Sequence, residues 1–473
     1  MFRRAREGRA ICLAAHFPAV EVDEVMRGRV RFSGLPPVDL GEEVDWRADP
    51  HGNRSWGLNL HALRWAGRLV SSFERTGERA HLDRAAALID DWMRSNPRGT
   101  SGWAWAEHAV ALRAPVLVCL SAHVRSQRLT ASLAEHGELL ADPALYRKGH
   151  NHGLDQDIAL LVVGTRLGRT RWRDLAVRRM VASAMLAVDE QGALHEQAPR
   201  YGLYVHRRLG VALRAIEESG ARVPATLVAR RTALESYIAH ATQPDGRLVP
   251  IGDSPADVRP PAFARDGEVK VFDAGYVFGR TESAYYSIRF GPGRRLHGHE
   301  DHLGVTYFAG GRPILIETGF HSYERTPYTL WTRGPEAHNV PIVAEATFRP
   351  GTATRLLSAS GHSYVLADDA YGVRRTREVT VADGLRVVDT VPAGSSLSAR
   401  WHFDPSLRLI SRDEGEVVLG DGDFRVRLTT TGPLTVRPAE VSTGYLRTAE
   451  AVAVESAAAE RVVTVVSPYS QSV

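Results

Sequence analysis

The densest group of side chains that could do chemistry lies in the octapeptide LHGHEDHL, residues 296–303. It holds His297, His299, Asp301 and His302. On an extended segment alternate side chains point to one side, so the first three of these are expected to share a face. Imidazole and carboxylate groups in such a cluster suit a metal site or a proton-transfer site. A solvated polar loop is the alternative interpretation, and three histidines in so short a span make it the less favoured one.

Two further residues of the same chemical types follow along the chain. Glu317 ends an apolar run in ILIETG, and His338 stands in PEAHNV before another apolar segment. Nitrogen and oxygen donors of this type suit zinc. The position of Glu317 is more often a strand end than that of a ligand, so the spacing alone is weak evidence for a metal site.

An earlier polar segment, GHNHGLDQD, places Asn151 and His152 just before or within the start of a helix. Side chains at that position can point into a cleft. Asp155 and Asp157 follow, where the helix dipole favours acidic residues, so a purely structural role is the alternative for them.

The segment LHEQAPRYGLYVHRRL, residues 194–209, offers a second polar group in this half of the chain. Because Pro199 breaks a helix, Tyr201 is expected at or before the start of the next one. The alternative interpretation is that Tyr201 is a buried core residue. The side chains in this segment that could contact a substrate are Glu196, Arg200, Tyr201 and Tyr204.

The elements that must position these groups differ between the two halves of the chain. From Trp56 to about His240 the apolar residues recur at helical spacing, which predicts helical hairpins in a bundle, a solenoid or a closed α/α toroid. The proline-rich segment 244–268 predicts a linker. After about Val269 the apolar period is two, which predicts an antiparallel β domain, most simply a sandwich.

Composition excludes several classes of protein. The 473 residues are 44% hydrophobic and 24% charged, which excludes a disordered chain. The formal charge of +4 comes from interspersed residues, so nucleic acid is not the expected partner. No apolar stretch is long enough for a membrane span. Cys12 and Cys119 leave the question of a disulfide open.

The first twenty residues, MFRRAREGRAICLAAHFPAV, are basic and then briefly apolar. The apolar run is short and contains His16 and Pro18, so a mature cytoplasmic start is the expectation. A misplaced start codon that hides a signal peptide would instead make the protein secreted or periplasmic.

Four of these segments, in this order, resemble the heparinase II/III-like polysaccharide lyases, a superfamily of heparin, heparan sulfate and alginate lyases. The matching motifs are NHG, EQAPRY, HGHEDHLGVTYFAGGRPILIETG and PEAHNV. The resemblance implies a multidomain α+β fold. It has an N-terminal α/α toroid, an incomplete barrel of helical hairpins, over residues 1–243. The linker 244–268 and a C-terminal antiparallel β-sandwich over 269–473 follow.

The resemblance also implies β-elimination on a uronic-acid-containing polysaccharide or oligosaccharide. Hydrogen bonds that neutralise the uronate carboxylate lower the barrier to removing the C5 proton. Asn151, with His152 or His297, matches the family residues for this task. Tyr201 matches the catalytic tyrosine, which serves as acid and base, or as acid opposite a histidine base. A neutral tyrosine is a poor base at pH 7, so Arg200 is the expected group to lower its pKa.

Further site residues are implied in the same way. Glu196, Arg200, Tyr204 and Arg333 are expected to bind substrate. One structural zinc ion is expected on His299, Glu317 and His338, although the family usually has Asp at the position of Glu317. No organic cofactor, nucleic acid or membrane is expected, and the sequence leaves the oligomeric state open.

Two rival functions remain open from the sequence. A glycoside hydrolase on an α/α toroid needs two carboxylates, and Asp155 with Glu196 is the best pair available. A non-catalytic polysaccharide-binding or biosynthesis-associated protein is the other. Trp103, Trp105 and Trp331 could stack on sugars, although tryptophan is at least as often a core residue.

Overall fold

The computed structural model describes residues 8–32, 34–99 and 101–470. The beginning of the basic N-terminal segment, residues 1–7, lies outside the described residues. The chain divides into two compact units. The first contains the described residues up to Ala187 together with Tyr204–Arg231, and the second contains Val188–Leu203 and the chain from Thr232 onward.

The first unit is helical, as the 3.6-residue period predicts. Its helices, with α9 and α10 continuing into or from the second unit, are α1 Val22–Met26, α2 Arg54–Ala62, α3 Arg64–Thr76, α4 Arg79–Ser95, α5 Glu107–Ser121, α6 Gln127–Ala141, α7 Asn151–Arg166, α8 Thr170–Ala187, α9 Pro199–Glu218 and α10 Ala225–His240. A short ribbon, β1 Arg29–Val30 and β2 Val38–Asp39, precedes α2. Successive helices pack as antiparallel neighbours, α3 on α4, α5 on α6 and α7 on α8.

Helices α5 and α7 form the centre of this unit, because they are buried on nearly every side. An all-round apolar helix such as α5 belongs in a core, whereas α3 and α4 show the apolar stripe of a helix with one wet face. A disulfide joins Cys12 to Cys119 of α5, with the two Cα atoms 4.5 Å apart. It anchors the segment before α1 on the central helix.

The second unit is built of antiparallel sheets. Its strands are β3 Val269–Phe272, β4 Tyr276–Arg280, β5 Ala284–Arg289, β6 Val305–Ala309, β7 Arg312–Leu315, β8 Pro341–Val343, β9 Arg355–Ser360, β10 Ser363–Asp368, β11 Arg375–Val381, β12 Leu385–Thr390, β13 Leu397–His402, β14 Arg408–Asp413, β15 Glu416–Asp421, β16 Phe424–Thr430, β17 Leu434–Gly444, β18 Arg447–Ser456 and β19 Arg461–Ser470. One short helix, α11 Pro327–Trp331, lies between β7 and β8.

These strands form three sheets around one apolar core. Their orders are β14-β15-β16-β19-β12-β11-β10-β9, β17-β18-β13-β8 and β3-β4-β5-β6-β7. Trp401 of β13, Val387 of β12 and Ile288 of β5 all lie in the same buried cluster. Alternate residues of β11 are buried, so its period of two was readable from the sequence.

A buried ion pair connects this core to the polar loops. Arg377 of β11 and Asp389 of β12 are register partners, and their two hydrogen bonds measure 2.7 and 2.8 Å. The same guanidinium donates to the carbonyl oxygens of Leu303 and Asn339. Leu303 is the last residue of the histidine-rich octapeptide and Asn339 follows His338, so one buried arginine holds both segments.

Segment 244–268 contains no helix or strand, as a linker would, but it is not merely a spacer. Residues 248–254 are almost entirely buried, and they carry a carboxylate of the site described below. Within the described part of the chain, no helix combines the length and apolar character needed to cross a membrane.

Candidate active site

His297 is the centre of a cluster in the second unit. Its Nδ1 lies 2.9 Å from Oδ2 of Asp253, and its Nε2 lies 3.6 Å from Oε2 of Glu196. Asp253 and Glu196 are both buried. Because an ionised carboxylate only accepts hydrogen bonds, Nδ1 of His297 donates to Asp253, which sets the ring orientation and the tautomer.

The Asp253 carboxylate serves several donors at once. Its Oδ1 accepts a 3.0 Å hydrogen bond from Nε2 of His299, and Arg333 donates to both oxygens at 3.3 and 3.4 Å. Burial alone would raise the pKa of Asp253, but the hydrogen bonds from His297 and His299 and the charge of Arg333 outweigh it and lower the pKa. The carboxylate is therefore ionised at neutral pH.

The backbone around this cluster has little spare room. Gly252 has a φ of 58°, and a Cβ on it would lie 2.6 Å from the carbonyl oxygen of His297 and 2.7 Å from that of Gln197. The amide of Asp253 donates to the His297 carbonyl at 2.8 Å. Only glycine fits this approach, which brings the segment before Asp253 against the octapeptide.

The octapeptide itself is not a strand, which corrects the expected geometry. Leu296 and Leu303 have positive φ angles, and the residues between them form turns and irregular backbone. His297 and His299 do converge, on Asp253. Asp301 instead pairs with the buried Arg289 at 3.2 Å, so the three side chains do not share one partner.

Tyr201, in the first turn of α9, packs flat on His297. The ring centroids are 3.5 Å apart and the planes differ by 10°. The Tyr201 hydroxyl forms a short hydrogen bond with the hydroxyl of Tyr323. Burial and this neighbouring phenol raise the pKa of Tyr201 well above its ordinary value.

The expectation that Arg200 lowers the pKa of Tyr201 is not met. The Arg200 charge acts on Tyr323 instead, where burial still raises the pKa to about 12. The backbone amide of Arg200 donates to Oγ of Ser254 at 3.1 Å. Tyr201 is therefore a neutral phenol at pH 7, which still holds its proton and is a poor base.

Glu317 and His338 form a buried pair next to His299. Oε2 of Glu317 contacts Nδ1 of His338, and the His299 and His338 rings lie 5.4 Å apart. Burial raises the pKa of Glu317. Burial would lower the pKa of His338, but the Glu317 charge outweighs it and raises that pKa. Asn339 donates to the carbonyls of Val305 and Ile316 at 2.9 Å, which fixes this corner.

The chemical types of these side chains suit the zinc ion that the family resemblance implies. Two imidazoles and a carboxylate are the donor types zinc prefers, and all three are almost fully buried. Nε2 of His338 is buried without a hydrogen-bond partner in the described structure, as expected of a nitrogen kept for a metal. Nε2 of His299 is engaged by Asp253, so its Nδ1 would be the ligand atom.

The first unit has a cluster of its own around Asn151 and His152, at the start of α7. Asn151 is buried, and His152 is partly exposed. Nδ1 of His152 lies 3.0 Å from Oε1 of Glu107, and its ring stacks on His108 with centroids 3.6 Å apart. The hydrogen bond with His152 lowers the pKa of Glu107 to about 2.

Asp155, one turn further along α7, lies beneath that cluster. Its Oδ2 accepts hydrogen bonds from Nε2 of His108 at 2.9 Å and from the hydroxyl of Tyr204 at 2.6 Å, and its Oδ1 accepts one from Arg208 at 2.5 Å. Burial alone would raise the pKa of Asp155, but Arg208, His108 and Tyr204 together lower it. Tyr204, expected to bind substrate, thus directs its hydroxyl to Asp155, and its substrate role stays a prediction.

Four residues with clear parts in these clusters went unnoticed in the sequence: Asp253, Tyr323, Glu107 and His108. Asp253 stands in IGDS within the segment that the sequence predicts to be a linker, and the apolar residues LVPI just before it are the local signal of burial. Glu107 and His108 stand in WAWAEHAVALR, which reads as an ordinary helix start. Tyr323 has no local signal at all.

Family models match both parts of the chain. The model described as heparinase II/III N-terminus matches residues 21–258, and the model described as heparinase II/III-like, C-terminal matches residues 257–470. The chain belongs to the heparinase II/III-like family. Family membership confirms the recognition made from the four motifs and places the protein among the polysaccharide lyases.

Solved structures agree with this membership in fold. A crystal structure of heparinase III matches with a TM-score of 0.78 and 15% identity over 92% of this chain and 81% of that one. The heparan sulfate lyase HepC from Pedobacter heparinus matches with a TM-score of 0.66 and 16% identity over 98% and 84%. At such identities the likeness establishes the fold, and the predicted toroid-plus-sandwich class is confirmed. No curated protein matched the sequence.

Proposed function

We propose that this heparinase II/III-like protein cleaves a uronic-acid-containing polysaccharide or oligosaccharide by β-elimination, with His297 and Tyr201 moving the protons. The observation that carries the proposal is the stacked Tyr201–His297 pair, whose histidine is oriented by a buried ionised carboxylate. A proton donor and a proton acceptor in contact are what an elimination requires.

The reaction removes the C5 proton of the uronate and expels the oxygen at C4. The C5–H electron pair becomes the C4–C5 double bond, and the C4–O bond breaks toward the departing oxygen. Because the Asp253 carboxylate holds the Nδ1 proton of His297, Nε2 is the nitrogen that takes the C5 proton. Tyr201, with its raised pKa, is neutral and gives its proton to the departing sugar oxygen.

Neutralising the uronate carboxylate is the remaining requirement, because removing the C5 proton adds charge to that group. We assign this task to Asn151 with His152, on the match of NHG to the family motif. Asn151→Ala is expected to lower kcat more than it raises KM, since the interaction strengthens as charge develops.

The substrate class that leads the proposal is a glycosaminoglycan. The solved structures with this fold include heparan sulfate lyases by name. We expect Glu196, Arg200, Tyr204 and Arg333 to contribute to binding, and Arg333 already lies on the Asp253 carboxylate. The identity and sulfation of the polymer are the first things to measure.

A structural zinc ion on His299, Glu317 and His338 is part of the proposal. Its task would be to hold the octapeptide that carries His297, and no reaction step passes through it. Metal analysis of the purified protein is expected to find about one zinc per chain. Glu317→Gln should lose that zinc and lower the midpoint of thermal unfolding, whereas equal metal content in both proteins would refute the site.

The disulfide supports one of the two locations considered from the sequence. Disulfides persist in oxidising compartments and are rare in the cytosol. The Cys12–Cys119 bond therefore favours a secreted or periplasmic protein over the cytoplasmic expectation. Thiol titration of the unreduced protein from its native source should find no reactive thiol. Two reactive thiols would instead support a cytoplasmic location.

A glycoside hydrolase has less support. The carboxylate pair it would use includes Asp155, whose two oxygens are occupied by His108, Tyr204 and Arg208 in a buried site. An acid or base of a hydrolase must reach the glycosidic oxygen or a water.

The decisive experiment is ultraviolet absorbance during incubation with heparan sulfate, heparosan, hyaluronan, chondroitin and alginate, each as polymer and as short oligomers. β-Elimination leaves a conjugated unsaturated uronate that absorbs, whereas hydrolysis leaves none. Rising absorbance with one substrate establishes the reaction and the substrate together. New reducing ends without absorbance would replace elimination by hydrolysis, and no cleavage of any member would contradict the proposed activity.

Tyr201→Phe tests the role of the tyrosine on the substrate so found. Removing the acid should lower kcat by about 10²–10⁴-fold with little change in KM. Tyr469→Phe, the same change on the last strand β19, is the control and should keep full activity. A Tyr201→Phe enzyme that retains kcat would remove Tyr201 from the mechanism.

A further inference from the structure

The four-stranded sheet of the second unit carries a cavity of about 330 Å³ that the proposed reaction does not use. Its lining comes from α11, from strands β13, β17 and β18, and from Glu336 between α11 and β8. None of its lining residues belongs to the cluster around Asp253. The volume lies at the lower end of the range of small-molecule sites, which suits a ligand of one or two sugar rings.

Two aromatic side chains form one wall of this cavity. Tyr328 and Trp331 lie three positions apart on α11, so they share one face of the helix. Their ring centroids are 5.7 Å apart and their planes differ by 29°. This arrangement presents two neighbouring and nearly parallel aromatic faces.

Contacts at both ends hold the two rings in place. His321 packs edge-on against Tyr328, with centroids 5.0 Å apart, and His402 packs edge-on against Trp331 at 6.3 Å. The Tyr328 hydroxyl donates to the carbonyl oxygen of Glu440 at 3.1 Å. The aromatic wall is therefore positioned before any ligand arrives, which lowers the entropic cost of binding.

A small residue forms the floor of the cavity, and charged residues form its rim. Ala453 of β18 pairs in register with His402 of β13 on one side and with Arg437 of β17 on the other. A small residue therefore lies in the middle of the surface that these three strands form. Arg400 pairs with Glu455 at 3.2 Å, and Arg437 lies 3.8 Å from the same carboxylate. The Arg437 side chain is 64% exposed, which leaves its remaining donors toward solvent.

The charges of the lining disfavour a polyanion. Three carboxylates, Glu336, Glu440 and Glu455, face two guanidinium groups, Arg400 and Arg437, and Glu455 already pairs with both. A sulfated or carboxylated chain would meet net negative charge here. Hydroxyl groups both donate and accept, so they suit a rim of mixed guanidinium and carboxylate groups.

We propose that this cavity binds an uncharged pyranose unit of a saccharide. The apolar face of the sugar ring stacks on Trp331 and Tyr328, and its hydroxyls bond to Arg437 and to the carboxylates of the rim. This goes beyond the proposed cleavage reaction, because the residues differ and the ligand carries no charge. The site would hold a neutral part of a glycan while other residues act on a uronate.

Isothermal titration of the intact protein tests the proposal, with the tetrasaccharides of cellulose, chitin and maltose as neutral probes and a heparan sulfate tetrasaccharide as the anionic probe. At least one neutral probe should bind at millimolar concentration or below. Trp331→Ala should weaken it by roughly tenfold or more, as expected for an aromatic anchor. Leu330→Ala, an exposed neighbour on α11 that does not line the cavity, should leave binding unchanged.

A second variant guards against misfolding as the cause of lost binding. Ala453→Leu fills the floor and leaves both aromatic side chains in place, so it should also abolish binding while thermal unfolding stays near that of the parent. No binding of any neutral probe overturns the proposal, as does binding that Trp331→Ala leaves intact. Binding of the anionic probe alone overturns the assigned ligand class. None of these outcomes alters the absorbance assay, so the proposed lyase activity is judged separately.

Discussion

Two buried carboxylates, one in each unit, invite comparison. Asp155 in the first unit and Asp253 in the second are both inaccessible, both have a lowered pKa, and both accept hydrogen bonds from a histidine and an arginine. Asp155 lies on a central helix and joins α5, α7 and α9 through His108, Tyr204 and Arg208. Asp253 lies on irregular backbone and its partners, His297, His299 and Arg333, are on loops as well.

The difference lies in what each carboxylate orients. The three partners of Asp155 all lie on helices of the first unit, so the main effect expected of this carboxylate is to hold those helices together. Asp253 fixes two imidazoles, one stacked on the proposed acid and one beside a proposed metal ligand. We therefore expect a buried ion of the same kind to stabilise the fold in one unit and to position the groups of the proposed reaction in the other.

The largest effect is expected from Asp155→Asn. Removing one charge leaves Arg208 buried without its counter-ion, which should lower the free energy of unfolding by about 3–5 kcal/mol. Urea unfolding followed by circular dichroism measures it. Asp174→Asn, an exposed aspartate on α8, is the control and should change little. If Asp155→Asn left stability intact and abolished turnover, Asp155 would belong to the catalytic machinery and not to the stabilisation of the fold.

Asp253→Asn should act mainly on catalysis. The amide cannot hold the Nδ1 proton of His297 as firmly, so kcat should fall by about 10²-fold while KM changes little. The loss of unfolding free energy should be smaller than for Asp155→Asn, because Arg333 is 21% exposed and water can solvate it. Steady-state kinetics with the substrate identified above, alongside urea unfolding, separates the two effects. A large stability loss with unchanged kcat per folded molecule would make Asp253 purely structural.

The acid side of the stability profile sharpens the comparison further. The folded-state pKa of Asp155 lies below the ordinary value, so its contribution is present above about pH 4 and is lost as the pH falls through the folded pKa. Between pH 5 and pH 2, the wild-type protein should lose stability more steeply than Asp155→Asn. Parallel curves for the two proteins, measured by thermal unfolding, would contradict this assignment.

The smallest effect is expected from Glu107→Gln. Glu107 accepts a hydrogen bond from His152, and this bond lowers the pKa of Glu107 to about 2. The neutral amide of Gln can still accept this hydrogen bond but carries no charge, so kcat/KM should fall by about fivefold, roughly the difference between a charge-assisted and a neutral hydrogen bond. Glu138→Gln, on α6 outside the cluster, provides the matched change. Equal kinetics for both variants would show that the His152 cluster has no part in turnover.

Much of the fold was readable because local patterns report which face of an element is buried. The stripe on α3 and α4 and the alternation on β11 and β12 require no knowledge of partners. The edge strand β9, RLLSAS, was missed because it is exposed along nearly its whole length and carries no alternation. Strand β17 has no buried residue from Thr435 to Glu440, so its sequence shows no alternation there either.

The sequence by itself determined the family, the two-part fold class and the set of reactive residue types, since motifs and periodicity are local in the chain. Only the tertiary structure decided their partners. Asp253 reaches His297 across 44 positions and Tyr201 reaches Tyr323 across 122, and no local pattern encodes such a contact. The raised pKa of Tyr201, which enters the proposed mechanism, also depends on burial and on a phenol far away in the sequence. Electrostatic environment is a property of the packed neighbourhood, so it exists only once the chain has folded.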